Sequence, residues 1–192
     1  MKITVISCSL DPNSRSRRLA MASASMINQS GHDASLVDLR DLNGLPPFDN
    51  DLAFDDPRYE LLHSAIQLAD GIVIASPVYN WALSSTAKNL IEMTGATGDR
   101  GRRSAWFDKV VTFVCSGGLP HSYMAYGTTA LSMMLDFKCI VNPYVVYATE
   151  RDWSQREEPH EKLVDRLRKT LEVKLVLADR LRNRPYKSDW EV

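Results

Sequence analysis

Apolar positions along the chain alternate between two spacings. Residues 3–7 form a short continuous apolar run, the pattern of a strand buried on both faces. Within residues 17–28, Leu19, Ser23, Ala24 and Ile27 share one helical face. A second strand is predicted over 34–39. Tyr59, Leu62, Ile66 and Ala69 then step by three and four, which predicts a helix. Residues 70–76 read as the third strand, and Leu83, Ala87, Leu90 and Ile91 mark the helix after it. A fourth strand is predicted over 110–116, then a helix over 122–135 that Gly127 weakens. Residues 139–148 read as a fifth strand, interrupted at Asn142-Pro143, which predicts a bulge or an exposed edge. Val164, Leu167, Leu171, Leu175 and Ala178 form the stripe of a long final helix.

Five strands with intervening helices predict an α/β fold: a three-layer, doubly wound, five-stranded parallel sheet in the order 2-1-3-4-5. Residues 1–182 read as one domain, the default for a chain of 192 residues, and 183–192 as a C-terminal tail. That tail is polar apart from Tyr186 and Trp190; it reads as a frayed end or as a segment docked on a partner subunit. The connection over 40–57 is long, acidic and proline-containing, a kind of loop that is often functional. A composition of 44% hydrophobic and 24% charged residues is that of an ordinary globular protein. A net charge of −1 argues against nucleic acid as a partner. No apolar run approaches the ~20 residues of a membrane span. The N-terminus enters a strand directly, without a signal-peptide layout. Three cysteines without a CxxC pair fit a reducing compartment, so a cytoplasmic location is expected.

In the 2-1-3-4-5 order, the loops after strands one, three and four converge at the carboxyl edge of the sheet, where ligands of such folds bind. Each carries a distinct chemistry. After the first strand, the hydroxyls of Ser9, Ser14 and Ser16 can donate to phosphate oxygens at a helix N-terminus, with Arg15 and Arg17 adding charge. One hydroxyl would suffice to cap the helix; three hydroxyls and two arginines go beyond a cap. Neither GxxxxGK[ST] nor GxGxxG is present, which excludes a P-loop and disfavours a dinucleotide fold. After the third strand come Pro77, Val78, Tyr79, Asn80 and Trp81. Pro77 fixes the backbone, the aromatics can stack on a flat ring, and Asn80 can meet polar ring atoms, which is what a flavin needs. Core packing or a subunit contact is the plainer account of Tyr79 and Trp81. After the fourth strand, Ser116, Gly117 and Gly118 let backbone N–H groups approach the anionic edge of a reduced flavin, helped by the helix that follows. A tight turn before a helix is the plainer account there.

Four segments resemble the NADPH-dependent FMN reductase family. They are Ser9-x-x-Pro12-x-Ser14-x-Ser16-Arg17-x-Leu19; Asp38 to Leu42 running on to Pro47-Phe48-Asp49; Pro77-x-Tyr79-Asn80 with Lys88-Asn89; and Ser116-Gly117-Gly118. The resemblance covers roughly residues 1–150. It implies a flavodoxin-like fold, FMN at the carboxyl edge, NADPH or NADH as hydride donor, and a homodimer or homotetramer. It further implies a small-molecule acceptor: a quinone-like, azo or other compound, or free FMN. The implied reaction moves hydride from nicotinamide C4 to flavin N5, and donor and acceptor share one ring face in turn. The cofactor carries that chemistry, so no catalytic side chain is expected. One departure stands out: Asp11 occupies a position where the family usually has arginine. Asp11 is expected to point away or to cap the helix, leaving Arg15 or Arg17 to supply charge. If neither does, FMN binds weakly and behaves as a substrate.

Competing readings find less support. An electron-carrier flavodoxin would be strongly acidic, unlike this chain. A receiver domain needs acidic residues after strand one, and a serine hydrolase needs GxSxG; both are absent. His32, His63 and His160 lack ligand spacing, so no metal is expected. His121 reads as a polar residue at a helix start, and Cys8 and Cys115 as small buried residues. Arg100, Arg102 and Arg103 read as a solvated loop or subunit contact, and Lys88 and Asn89 as braces for a loop or dimer contact.

Overall fold

The apolar runs alternate sides, and this alternation builds the sheet. The computed structural model describes residues 1–96 and 103–188. Its strands are β1 (Lys2–Ser7), β2 (Asp33–Asp38), β3 (Gly71–Tyr79), β4 (Ala82–Leu83), β5 (Val110–Ser116), β6 (Ile140–Val141) and β7 (Val146–Ala148). The main path runs β2-β1-β3-β5-β6, with β7 also beside β5 and β4 folded back on β3. All pairs are parallel except β3 with β4. The expected 2-1-3-4-5 order is present, its fifth strand divided into β6 and β7.

Helices α1 (Arg15–Gln29), α2 (Pro57–Gln67), α3 (Ser85–Gly95), α4 (Gly127–Phe137) and α5 (Glu161–Leu181) cover both faces. Ile3, Val5 and Val73 pack with Leu19 and Ile27 of α1 and Leu167 of α5. Their neighbours Ile6, Ile72 and Ile74 face the other way, toward Leu62, Leu90 and Met133 of α2, α3 and α4. Burying each such side chain contributes roughly 1.5–3 kcal/mol, and the two-residue period of the strands divides that gain between two cores.

Four local features refine the sequence expectation. First, α1 begins at Arg15 rather than 17, because the Ser14 hydroxyl accepts the Arg17 N–H at 3.3 Å and so caps it. Second, β3 runs on to Tyr79. Ala75 O still accepts Cys8 N at 2.8 Å, but β1 pairing ends there, so the absent N–H of Pro77 removes no bond. Third, α4 begins only at Gly127; residues 120–122 make a separate 3₁₀ turn after Pro120. Fourth, the break at Asn142 is stitched in place. Its backbone N–H still reaches Val111 O at 2.8 Å, while its side chain donates to Thr112 Oγ1 at 3.2 Å and Thr170 O at 3.0 Å.

The long 40–57 connection is ordered by partners from α2 and α3. Asn89 accepts from Phe48 N at 2.8 Å and donates to Pro46 O at 2.8 Å, the bracing expected of it. Lys88 pairs with Glu92 at 2.5 Å on the same helix. Phe48, Phe54 and Tyr59 meet edge to face. The described part of the tail lies on its own chain: Arg184 reaches Asp108 at 3.4 Å, and Ser188 N donates to Asp108 at 2.9 Å. Arg103 sits 5.2 Å over the Phe107 ring and also donates to Ser188 O. Arg100, Arg102 and Trp190 lie outside the described residues. No helix among the described residues is long and apolar enough to cross a membrane.

The edge of the sheet opposite the carboxyl ends holds a buried lysine without a hydrogen-bond partner. Lys174 of α5 is 0% exposed and its Nζ has no hydrogen-bond partner. It sits where only glycine fits: a Cβ on Gly71 would lie 2.5 Å from Nζ. Burial lowers its pKa to about 7, against an opposing pull from Asp70. Lys109 nearby is likewise lowered, chiefly by burial and then by Arg184, to about 8. Unfolded lysine titrates near ~10.4. Between these limits the unfolded chain binds more protons than the folded one, so stability rises with pH from about 7 toward 10. Urea unfolding is expected to show that rise. Lys174→Met is expected to add about 1–3 kcal/mol at pH 7 and to flatten the rise, leaving the part due to Lys109. A variant less stable than wild type at pH 7 contradicts this account.

Candidate active site

Parallel pairing brings the ends of β1, β3 and β5 to one edge of the sheet, and a cleft of about 470 Å³ opens there. That volume lies within the range of small-molecule sites. One end is built by the start of α1. Ser14 and Ser16 line the cleft, their hydroxyls 2.8 Å apart. The first turn of α1 carries no acidic residue, so its free N–H groups and partial positive charge face the cleft unopposed by their own helix. Ser9 lies beneath the loop, buried, its Oγ accepting Asp11 N at 3.3 Å; it shapes the loop and does not line the cleft.

The arginines divide differently from the expectation. Arg15 lines the cleft, but Arg17 turns to Asp38 at 2.5 Å. Arg18 takes its place, because residues three apart share a helix face and neighbours two apart do not. Asp11 neither turns away nor caps the helix. It lines the cleft and accepts Asn13 N at 2.9 Å, an Asx turn within the loop. Two further carboxylates, Glu150 and Glu157, face the same end from the segment between β7 and α5. Glu157 grips Arg15 with two bonds of 2.7 and 2.8 Å, and its carbonyl accepts from Arg18 at 2.7 Å. The Arg15 guanidinium holds the Glu157 carboxyl below the usual range. No motif in the sequence marked Glu150 or Glu157.

Pro77, Val78 and Tyr79 line another part of the cleft, with Ser116, Gly117 and Gly118 beside them on the neighbouring strand end. The two glycines have separate duties. Gly117 donates its N–H to Ala148 O at 2.9 Å, and a Cβ there would lie 2.4 Å from the Tyr147 hydroxyl. Gly118 has open space at its Cβ position apart from Glu150 at 4.0 Å, and its N–H has no acceptor among the described residues. Gly118 therefore offers the available donor. The positive end of α4 is set back from it by the intervening 3₁₀ turn. Asn80 and Trp81 form the two-residue turn between β3 and β4, with φ of 48° and 65°. Asparagine tolerates that conformation, but tryptophan rarely adopts it. Asn80 is exposed on the turn and does not line the cleft. Trp81 lies against His121 with ring centres 5.0 Å apart, a contact the sequence did not suggest.

The thiols near the cleft are inert. Burial pushes Cys8 up and Cys115 up to about 12, so neither forms a thiolate at neutral pH. His63 binds Arg103 O at 2.7 Å, and the described residues contain no cluster of three or more metal-ligating side chains.

Hydroxyls, a helix N-terminus and two guanidiniums at one end, with strand ends and Tyr79 at the other, suit a ligand with an anionic head and a flat body. FMN has that shape and that polarity. A profile of the NADPH-dependent FMN reductase family matches residues 1–153. A rice (Oryza sativa subsp. japonica) protein described as a probable NADPH:quinone oxidoreductase 2 is 28% identical over 151 residues, covering 76% of this chain and 70% of its own. Among solved structures, FerB, a flavoenzyme NAD(P)H:(acceptor) oxidoreductase from Paracoccus denitrificans, superposes with a TM-score of 0.74 at 17% identity, covering 94% of this chain and 98% of its own. The apo form of the NADH:FMN oxidoreductase EMOB gives 0.71 at 19% identity, covering 96% and 91%. At those identities the superpositions establish the flavodoxin-like fold. The match over residues 1–153 establishes the lineage: this chain belongs to the NADPH-dependent FMN reductase family and is an oxidoreductase working with FMN and NAD(P)H.

Proposed function

We propose that the cleft holds FMN with its phosphate at Ser14, Ser16 and the start of α1, and its ring between Pro77–Tyr79 and Ser116–Gly118. The acceptor in this reading is a quinone-like, azo or other small compound, or free FMN. The observation that carries the reading is the convergence of loops from three separate stretches of chain on one cleft, with donors at the start of α1 and at Gly118. When bound, FMN supplies the capacity to accept hydride from NADPH or NADH and to pass electrons on.

The chain's own residues bind and orient. Ser14 and Ser16 donate to the phosphate, whose negative charge is favoured at a helix N-terminus. Gly118 N–H is the donor placed to meet the electron-rich edge of the ring. Ser9 supports the phosphate loop from below, and Asn80 holds the turn that carries Tyr79 and Trp81. Tyr79 lines the side where nicotinamide and acceptor would take turns, and the turn that carries it is braced by the Trp81–His121 contact. The name of the rice relative favours a quinone as acceptor. This reading also takes residues 1–182 as the reductase domain, a homodimer or homotetramer as the assembly, and the cytoplasm as the location. An electron-carrier role is disfavoured by the family and by a net charge of −1.

Protein titrated with FMN is expected to bind it with a change in flavin fluorescence, and anaerobic NADPH is expected to bleach the visible absorbance of the mixture. Absorbance unchanged by NADPH and by NADH contradicts the reductase role. Ser16→Ala is expected to weaken FMN about tenfold, the loss of one hydrogen bond to a charged group, while riboflavin binding stays unchanged. Equal losses for both flavins would place Ser16 away from the phosphate.

A further inference from the structure

Glu157 lines the cleft and lies against Arg15. Its segment is fastened tightly: a backbone bridge joins Trp153 to Pro159, Ser154 N donates to Glu158 O at 2.8 Å, and Glu157 N donates to Ser154 O at 3.0 Å. This fastening holds Glu157 at φ 59°, a left-handed conformation unfavourable for a side-chain-bearing residue. The result is a carboxylate delivered to Arg15 with both oxygens engaged, in the two-pronged geometry that guanidinium also uses for phosphate. The charges around this end of the cleft are two cations, Arg15 and Arg18, against three carboxylates, Asp11, Glu150 and Glu157.

Resting on the reading that FMN phosphate binds at the start of α1, we propose that Glu157 is a built-in competitor for that phosphate. Arg15 is engaged until a ligand displaces the carboxylate. The Arg15 and Glu157 side chains are 29% and 40% exposed, so their pair is a weak, solvent-screened one that a phosphate dianion can displace. With Glu157 in place, the affinity gained from Arg15 is reduced by the competing pair and by repulsion from the neighbouring carboxylates. FMN is accordingly held loosely and exchanges, as a substrate does. Riboflavin, which has no phosphate, does not meet this competition. Glu157 thereby sets how strongly the enzyme prefers the phosphorylated flavin.

The test is fluorescence titration of the whole protein with FMN and with riboflavin, in wild type, Glu157→Gln and Glu157→Gly. Glutamine keeps the shape and removes the charge; glycine removes both and relaxes the backbone. Both variants are expected to bind FMN about tenfold more tightly than wild type, with riboflavin unchanged. FMN binding that is unchanged or weaker in Glu157→Gln overturns the proposal while leaving the site intact, since Glu157 would then be neutral or would orient Arg15 for the phosphate. Tightening in the glycine variant alone assigns the effect to backbone freedom and also overturns it. Binding of neither flavin by any of the three proteins removes the reading of the cleft itself.

Discussion

Parallel hydrogen bonding from β1 to β3 and from β3 to β5 is the constraint on which the cleft depends. It aligns Ser7 with Ala75 and Pro77 with Ser116, so three loops distant in sequence leave the sheet at one edge. Each loop is then turned by a local device. Ser14 caps α1, Asn80 and Trp81 reverse β3 into β4, and Gly117 continues the pairing of β5 to Ala148. The apolar alternation that fills both cores sets the register, because a one-residue slip would turn every buried side chain to the wrong face.

Much of this was legible in the chain because it is written at short range. Continuous apolar runs marked β1, β3 and β5, and three- and four-residue spacings marked α2, α3 and α5. Of the residues singled out for the site, Ser14, Arg15, Ser16, Pro77, Val78, Tyr79, Ser116, Gly117 and Gly118 line the cleft. Ser9 and Asn80 shape its loops instead. Arg18 was also readable: with Arg15 at the cleft, the helical repeat puts Arg18 on the same side and Arg17 toward Asp38. Glu150 and Glu157 were not readable. They reach the cleft through a turn whose geometry depends on a backbone bridge and a left-handed residue, and neither has a local signature. The Trp81–His121 contact is likewise tertiary, joining a hairpin turn to a 3₁₀ turn.

The electrostatics of the cleft oppose each other. The N-terminus of α1 and the serine hydroxyls attract an anion in a way that needs no net charge. Arg15 and Arg18 would add to that attraction, but three carboxylates, from the loop before α1 and from the segment before α5, outnumber them. The departure at Asp11 is thus part of a wider pattern, in which the end of the cleft proposed for the phosphate offers dipoles and hydroxyls more than net positive charge. Beside the strand ends the free donor is again backbone, at Gly118. A site of this kind positions a cofactor while leaving its chemistry to the cofactor, in keeping with buried thiols held protonated.

Backbone amide hydrogen exchange with and without FMN tests the central claim most directly, since it reports the place of binding without relying on turnover. The account predicts slowed exchange over residues 8–18, 77–81 and 116–119 together, with the opposite edge of the sheet around Gly71 and Lys174 unchanged. Protection confined to any one of the three loops, or centred on the separate cavity beside Leu45, Lys88 and Glu92, would contradict it.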